Sequence, residues 1–239
     1  MIFFYKHTIM DTRVTLVNHT KSFIRPEQTL IDQICYVARV SNPSKQHCDD
    51  FESNEKLINY LLRNKHFSPL EMVNICLEIN TTRDISRQIL RHRSFSFQEF
   101  SQRYADPTKH LSFQTREARL QDNKNRQNSI KCNDTEIETE FEEIQKELIT
   151  HSLELYNRAI LKGIAKEQAR VLLPEGLTET RLYMNGSVRS WVHYIQVRTD
   201  PSTQKEHRKI ATECAKAIST IFPQIWDFVH ESEKISDLI

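Results

Sequence analysis

The sequence predicts a helix-rich α+β (mixed α/β) protein, a single domain of residues 1–239 around a small, mostly antiparallel sheet. Apolar residues recur at helical spacing in several long segments, whereas few segments alternate in the way that half-buried strands do. No internal repeat and no obvious linker interrupts the 239 residues. A chain of this length with 38% hydrophobic residues can bury a substantial core in one domain or in two closely fused ones.

The first third of the chain is expected to hold two helices. Residues 28–40 form an amphipathic helix, because apolar residues recur there at i, i+4 and i+7. Residues 41–50 follow as a polar loop. Ser53 is then expected to cap the second helix, which ends before Pro69.

A strand, a helix and a long loop come next. Residues 72–80 alternate between apolar and polar side chains, which indicates a half-buried strand. A helix over 81–93 follows, with Thr81 or Thr82 as its cap. Residues 105–135 are polar and irregular, and they predict a long, mobile surface loop. We treat this loop as variable and residues 1–20 as an N-terminal extension without an assigned role.

The rest of the chain reads as helical. Residues 136–161 keep helical spacing until Gly163 ends the helix. Shorter helices are predicted over 165–173, 187–198 and 203–222.

Composition excludes several classes of protein. The 33 Lys+Arg residues balance 32 Asp+Glu, which argues against bulk nucleic-acid binding. With only three glycines the chain can build neither a P-loop nor a G-x-G-x-x-G turn, so nucleotide phosphates would have to be held by arginines, hydroxyls and helix ends.

No spacing supports a metal site, and no apolar run approaches the ~20 residues of a membrane span. The first residues lack a basic leader and a cleavage site, so no signal peptide is expected. Five scattered cysteines without a C-x-x-C pair indicate reduced thiols in a cytoplasmic setting.

Two segments concentrate cationic chemistry. Arg83, Arg87 and Arg91 stand at i, i+4 and i+8, a stripe whose ordinary interpretation is a solvated helix face. The next segment makes a binding site more plausible, because its phenylalanines can be buried and so keep the neighbouring polar side chains close together. These side chains suit a phosphate or carboxylate ligand: Arg91, His92, Arg93, Ser101 and Arg103. Glu99 among these cations either accepts from a sugar hydroxyl or neutralises an arginine.

A later helix carries the second cluster. Arg189, His193 and Gln196 share the face opposite the apolar one, and Arg198 follows at the helix end. An ordinary amphipathic helix explains this pattern equally well, and a lone histidine on a helix is more often structural than catalytic. Arg170, directly before an apolar run, is a further cation of interest.

One spaced pattern resembles a known family. R-H-R, seven residues and then S (Arg91, His92, Arg93 and Ser101), continued to Arg103 and Tyr104, resembles the signature of the flavin-dependent thymidylate synthases. "HFSPLE" looks like that family's H-x-[ST]-P-x-E, "SRQILRHR" like its R-Q-x-x-R-H-R, "ARVLLP" like its A-R-x-x-L-P, and "VRSWVHYIQVRTD" like its late helix. The matches keep a consistent order over about residues 28 to 225. The variant "RHRSFSFQEFSQRY" is similar to a subset that we associate with large DNA viruses and some microbes, which implies a cytoplasmic protein, in the host cytoplasm if viral.

The resemblance implies a homotetramer that binds FAD and dUMP between subunits. It would transfer a one-carbon unit from methylenetetrahydrofolate to the uracil ring and reduce it with flavin hydride, and NADPH would recharge the flavin. No enzyme cysteine attacks the pyrimidine in this family, so positioning and electrostatics would carry catalysis.

The resemblance also assigns residues. Arg198 would be catalytic, lying against the uracil. The residues around dUMP would be Gln88, Arg91, Glu99, Ser101, Gln102, Arg103, Arg170 and Arg198. Those lining FAD would be Ser68, Glu71, Arg91, His92, Arg93, Gln98, Glu99, Ser187, Arg189 and His193. His66 and Tyr104 would lie near the flavin and the folate. The chain has serine at 187 and 202, where many relatives have asparagine and histidine.

Two alternatives stay open. A non-enzymatic module for nucleic acids or phospho-ligands would use the arginine stripe with stacking phenylalanines. The near-zero net charge and the late helix do not favour it. A degenerate relative that binds flavin without synthase activity is the other, and the intact Arg91, Ser101, Arg170 and Arg198 argue against it.

Overall fold

The computed structural model describes residues 8–9, 13–48 and 50–236. Residues 1–7 and 10–12 of the predicted extension therefore lie outside the described residues. The helices are α1 (Leu30–Ala38), α2 (Pro43–Gln46), α3 (Phe51–Arg63), α4 (Arg83–Ile89), α5 (Pro107–His110), α6 (Thr135–Leu161), α7 (Lys166–Ala169), α8 (Val188–Arg198), α9 (Lys205–Ser219) and α10 (Glu231–Ser236). Short 3₁₀ turns occupy Ser68–Met72, Arg170–Leu172 and Pro223–Phe228.

The strands differ in length, from two residues in β1 and β5 to nine in β3 and β8. They are β1 (Thr8–Ile9), β2 (Arg13–His19), β3 (Asn74–Thr82), β4 (Ser96–Glu99), β5 (Gln114–Thr115), β6 (Arg119–Gln121), β7 (Ser129–Lys131) and β8 (Glu179–Ser187). The main sheet has the order β2–β3–β8–β4, and two-stranded pairs form between β1 and β5 and between β6 and β7. The predicted helix-rich α+β class with a small, mostly antiparallel sheet is confirmed.

The described chain divides into two compact units. Unit 1 takes residues 8–9, 13, 80–91 and 98–182, and unit 2 takes residues 14–48, 50–79, 92–97 and 183–236. The extent of the predicted single catalytic domain stays a prediction.

The core of unit 1 is organised by α6. Ile149, Leu153 and Tyr156 lie at i, i+4 and i+7 on this helix and are buried with Phe113 and Leu173. The spacing places them on one stripe, and the helix packs against the rest of unit 1 along that line. Asp134 caps the helix by accepting from the N–H groups of Glu136 and Ile137.

The core of unit 2 is organised by α8. Its four predicted apolar residues are all buried: Val188, Trp191, Val192 and Ile195. Trp191 donates its indole N–H to the carbonyl of Ile75 at 3.0 Å and meets the Phe95 ring edge-on, 4.8 Å between centroids. The opposite face, with Arg189, His193 and Gln196, is exposed as predicted.

Several predicted boundaries were wrong. Asp50, not Ser53, caps α3, because its carboxylate accepts from the N–H of Ser53. The predicted loop 41–50 contains the helical turn α2, with Pro43 at its first position. The helix predicted over 81–93 ends at Ile89, so Arg91 lies beyond it.

The predicted irregular loop 105–135 was also wrong in part. It contains α5, β5 and the antiparallel pair of β6 and β7, and Phe113 and Cys132 are buried. Asp106 caps α5 by accepting from the N–H of Thr108. This polar stretch is therefore ordered locally, although its composition is typical of an irregular loop.

In the described parts of the chain, none of the helices combines the length and the apolar character that crossing a membrane requires.

Candidate functional site

A cationic cavity lies within unit 1, and we call it the arginine cavity. It has a volume of about 330 Å³ and is lined by Arg83, Arg87, Gln102, Arg170, Val171, Leu173, Glu175 and Thr178. Helix α4 supplies Arg83 and Arg87 one turn apart, and the 3₁₀ turn after α7 supplies Arg170. The arrangement collects three guanidinium groups around one small space, which suits an oxyanion.

The predicted cationic stripe is a solvated face only in part, because Arg87 and Arg91 are exposed but Arg83 is buried. Arg83 is only 8% exposed and lies 3.7 Å from Glu99 and 3.8 Å from Glu175. Burial lowers the pKa of Arg83, although both carboxylates oppose that effect. Arg87 pairs with Glu175 at 2.9 Å. Two of the three stripe residues are therefore tied to acids distant in sequence.

Gln102 is the unusual member of this cavity. Its side chain is 4% exposed, and its amide nitrogen Nε2 finds no acceptor among the described residues. A buried amide donor without a partner loses its hydration without compensation, which costs about 1–3 kcal/mol. A ligand oxygen in the cavity would supply the missing acceptor.

Glu99 has the second of its two predicted roles in the structure. Its Oε1 accepts from the hydroxyls of Ser86 and Thr180, both at 2.9 Å, and it faces Arg83. The carboxylate thus neutralises the buried Arg83 and is joined to α4 by the hydrogen bond from Ser86.

The residues after Glu99 form a tight turn. Ser101 Oγ accepts from the N–H of Arg103 at 3.4 Å, and Arg103 pairs with Glu167 at 3.3 Å. Tyr104 is largely exposed, and its carbonyl accepts from Lys166 at 2.7 Å. Its ring is therefore presented to solvent in the single chain.

A second cavity lies within unit 2, and we call it the serine cavity. It measures about 600 Å³ and is lined by Phe67, Glu71, Asn74, Ser94, Ser96, Asn185, Gly186, Ser187, Arg189, Ser190, Val192, His193 and Gln196. Four of the predicted flavin residues line it: Glu71, Ser187, Arg189 and His193. Hydroxyl, amide and guanidinium donors dominate its wall, as a ligand rich in hydroxyls and phosphates requires.

Glu71 organises the mouth of the serine cavity. One carboxylate oxygen accepts from Ser187 Oγ at 2.7 Å and the other from Arg189 Nη1. These two hydrogen bonds, with that of Ser187 first in effect, lower the pKa of Glu71. Ser187 also caps α8 by accepting from the N–H of Ser190. The cap, the acid and the arginine therefore form one connected set.

Arg198, at the end of α8, is held by a histidine. Its Nε–H donates to Nε2 of His92 at 2.8 Å, and the His92 ring meets Tyr194 edge-on. Tyr194 hydroxyl in turn contacts Nε2 of the fully buried His207 at 3.1 Å. Burial, followed by the charge of Arg198, lowers the pKa of His92 to about 4 and that of His207 to about 3. Both rings are neutral at physiological pH.

The other predicted residues lie at or near the surface of their units. Gln88 is half-buried on α4, and the exposed ones are Ser68, Arg91, Arg93, Gln98 and His66. His66 packs edge-on against Tyr60. The sequence interpretation missed several cavity residues that the structure adds: Arg83 as a buried member, Glu175, Ser94, Ser96, Asn185 and Ser190. The serines at 94 and 96 had a signal, because they alternate with Phe95 and Phe97.

Two of the thiols, those of Cys35 and Cys214, are poorly suited to nucleophilic attack. All five cysteines are free, and Cys35 and Cys214 are fully buried. Burial raises the pKa of Cys35 to about 12 and raises that of Cys214 further. Among the residues described, no group of three His, Cys, Asp or Glu side chains could hold a metal ion.

Comparison with known sequences finds one family over most of the chain. The sequence profile of the family described as thymidylate synthase complementing protein matches residues 16–224. A probable flavin-dependent thymidylate synthase of Paramecium bursaria Chlorella virus 1 is 44% identical over 214 residues, 88% of this chain and 95% of the relative. A flavin-dependent thymidylate synthase of Synechocystis is 50% identical over 192 residues, 80% of this chain and 86% of the relative.

Comparison with solved structures finds a similar fold in a nucleotide methylase. The UMP/dUMP methylase PolB from Streptomyces cacaoi, solved with 5-Br dUMP, superposes with a TM-score of 0.74 at 25% identity. The match covers 89% of this chain and 92% of the other.

Proposed function

Because the chain belongs to the thymidylate synthase complementing protein family, we propose that it is a flavin-dependent thymidylate synthase that converts dUMP to dTMP. In this proposal 5,10-methylenetetrahydrofolate donates the carbon unit and NADPH supplies the reducing equivalents. The observation that carries the proposal is the arginine cavity with its buried, unpartnered Gln102 amide.

The arginine cavity is proposed to hold the phosphate of dUMP. Arg170 makes no ion pair among the described residues, so its guanidinium is available to a phosphate oxygen. Gln102 Nε2 would donate to a second oxygen and regain the hydrogen bond that it lacks in the unliganded chain. The remaining residues proposed around dUMP are Gln88, Arg91, Glu99, Ser101 and Arg103.

Arg198 is proposed to lie against the uracil ring and to be the catalytic residue. A guanidinium stays charged at every working pH, so it would stabilise the negative charge that develops on the pyrimidine. His92 accepts from Nε of Arg198 as a neutral ring, which fixes the guanidinium without neutralising it.

The serine cavity is proposed to hold part of FAD, and its donors fit that group. A volume of about 600 Å³ lies within the ordinary range for ligand pockets. The hydroxyls of Ser94, Ser96 and Ser187 can bind phosphate and polyol oxygens together with the guanidinium of Arg189. Such side chains are needed because a chain with three glycines cannot build a glycine-rich phosphate loop. When bound, the flavin supplies the hydride that completes the methyl group. The residues proposed around it are Ser68, Glu71, Arg91, His92, Arg93, Gln98, Glu99, Ser187, Arg189 and His193, with His66 and Tyr104 near the folate.

We propose that no enzyme thiolate takes part. The burial of Cys35 and Cys214 keeps both thiols protonated at neutral pH, and a protonated thiol is a poor nucleophile. Catalysis would instead depend on the orientation of dUMP beside Arg198.

We propose a cytoplasmic homotetramer in which neighbouring subunits complete each site. One helix offers support, because α6 exposes a row of apolar side chains at helical spacing: Ile137, Phe141, Ile144 and Leu148. Contiguous exposed apolar residues of this kind are commonly buried by association.

The direct test is a turnover assay of the purified full chain. Protein loaded with FAD should convert dUMP to dTMP in the presence of methylenetetrahydrofolate and NADPH, measured by mass spectrometry of the nucleotide. UMP serves as the competing substrate, and Arg170→Gln should raise the KM for dUMP. A protein that takes up no FAD, or that makes no dTMP under these conditions, would contradict the proposal.

A further inference from the structure

One carboxylate already occupies the arginine cavity. Glu175 stands in the turn after the 3₁₀ segment Arg170–Leu172, and its Oε1 accepts from Arg87 Nε at 2.9 Å. The same oxygen lies 3.8 Å from Arg83 Nε. A single carboxylate oxygen thus faces two guanidinium groups of α4 inside the space that an external oxyanion would enter.

The three arginines of this cavity differ in how readily each can bind an external anion. Arg83 is buried and is opposed by Glu99 at 3.7 Å as well as by Glu175, so it is already neutralised within the fold. Arg170 makes no ion pair among the described residues. Arg87 lies between these cases, because its partner Glu175 is itself half exposed at 51%.

An exposed carboxylate on a turn can leave its partner at low cost. Ion pairs of this exposure contribute little to stability, since solvent screens them and their side chains lose rotamer freedom. The pair between Glu175 and Arg87 is therefore weak enough for a doubly charged ligand to displace.

We propose that Glu175 is an internal competitor for the phosphate group and that Arg87 is a phosphate ligand held in reserve by it. The inference rests on the proposed binding of dUMP in this cavity. A phosphate monoester engages Arg170 and the amide of Gln102, and Arg87 then exchanges the Glu175 carboxylate for a phosphate oxygen. Glu175 thereby weakens the binding of any oxyanion that has to take Arg87 from it.

The experiment compares binding to the full chain by calorimetry for three probes: dUMP, inorganic phosphate and deoxyuridine. Glu175→Gln keeps the shape and removes the charge. It should tighten dUMP and phosphate about two- to fivefold, the range that an exposed ion pair corresponds to, and leave deoxyuridine unchanged. Arg87→Gln should weaken dUMP, and in that background the effect of Glu175→Gln should largely disappear.

Glu117→Gln is the matched control. Glu117 is similarly exposed and pairs with Arg119 at 3.2 Å within unit 1, but it does not line the arginine cavity. It should leave the affinity for all three probes unchanged.

The possible results separate the two proposals. Weaker or unchanged dUMP and phosphate binding in Glu175→Gln overturns the role of Glu175, even if the wild-type chain binds dUMP well. Equal tightening of deoxyuridine overturns it too, because a neutral nucleoside has no phosphate to gain. Tightened phosphate with no dUMP binding to any variant supports the competitor role and contradicts the nucleotide assignment.

Discussion

Arg198 donates its Nε–H to Nε2 of His92 at 2.8 Å, so the cation at the end of α8 is oriented by a neutral imidazole. A carboxylate in that position would hold the guanidinium equally well but would cancel its charge. The choice of histidine keeps the charge available to a ligand, and it explains why a histidine within R-H-R accompanies an arginine 106 positions later.

Replacement of Arg198 tests this arrangement. Arg198→Ala should lower kcat for dTMP formation by about 100-fold or more, the size found when one preorganised donor to a developing charge is lost. Arg198→Lys should recover only part of the loss, because an ammonium lacks the planar fork that His92 orients. Steady-state assays, with circular dichroism to establish that the fold is retained, measure both. Turnover of the alanine variant near the wild-type rate would refute the catalytic role.

The buried His207 predicts a specific dependence of stability on pH. Its pKa of about 3 in the folded chain lies below the ordinary value of 6.5, so at acidic pH the unfolded chain binds a proton that the folded chain does not. Stability should therefore be fully present above pH 6.5 and fall as the pH drops toward 3. At pH 5 the loss from this residue approaches about 2 kcal/mol.

Urea unfolding at pH 7 and pH 5 measures this effect. His207→Gln keeps a side-chain group that can hydrogen-bond Tyr194 but does not titrate. Its midpoint should change less between the two pH values than that of the wild type. An equal change in both proteins would show that His207 is not the source.

The sequence predicted local structure correctly where the spacing of apolar residues alone decides it. The faces of α8 are the best example, because the apolar residues at Val188, Trp191 and Ile195 repeat at helical spacing and are buried. The strand β8 was missed although it carries a signal of period two. Leu182 and Met184 point inward between exposed neighbours.

Contacts between distant positions could not be read from a pattern. The stripe of Arg83 and Arg87 has the same spacing whether it faces water or acids, and only the fold brings Glu175 to it, 88 positions after Arg87. In the same way, nothing in the sequence around Gln102 shows that its amide is buried without an acceptor. That property depends on the walls that other segments build around it.

Gln102 should show opposite effects on stability and on binding. Gln102→Met preserves the volume and removes the unpartnered N–H, so the unliganded chain should gain about 1 kcal/mol of unfolding free energy. The same change removes a donor to the phosphate and should weaken dUMP binding several-fold. Thermal unfolding and calorimetry on one preparation give both values. A variant that loses stability, or that binds dUMP as tightly as the wild type, would contradict the proposed role of this amide.

Gly186 is required by the close approach of an aromatic ring. A Cβ at this position would lie 2.4 Å and 2.7 Å from two atoms of the Phe95 ring. The ring cannot retreat easily, because it packs against Trp191 at 4.8 Å and Tyr194 at 6.0 Å between centroids. Gly186→Ala should therefore destabilise the chain by about 1–3 kcal/mol, the usual cost of overpacking a core. Since Gly186 also lines the serine cavity, the displaced ring should weaken FAD uptake.

Gly176→Ala is the matched control for that change. A Cβ there meets no heavy atom within 4 Å, and the residue does not need a positive φ. Urea unfolding should leave its midpoint at or slightly above that of the wild type, because alanine restricts the unfolded chain more than glycine does. A Gly186→Ala variant with an unchanged midpoint would mean that Phe95 has room to move, and it would contradict the claim that Trp191 and Tyr194 hold the ring in place.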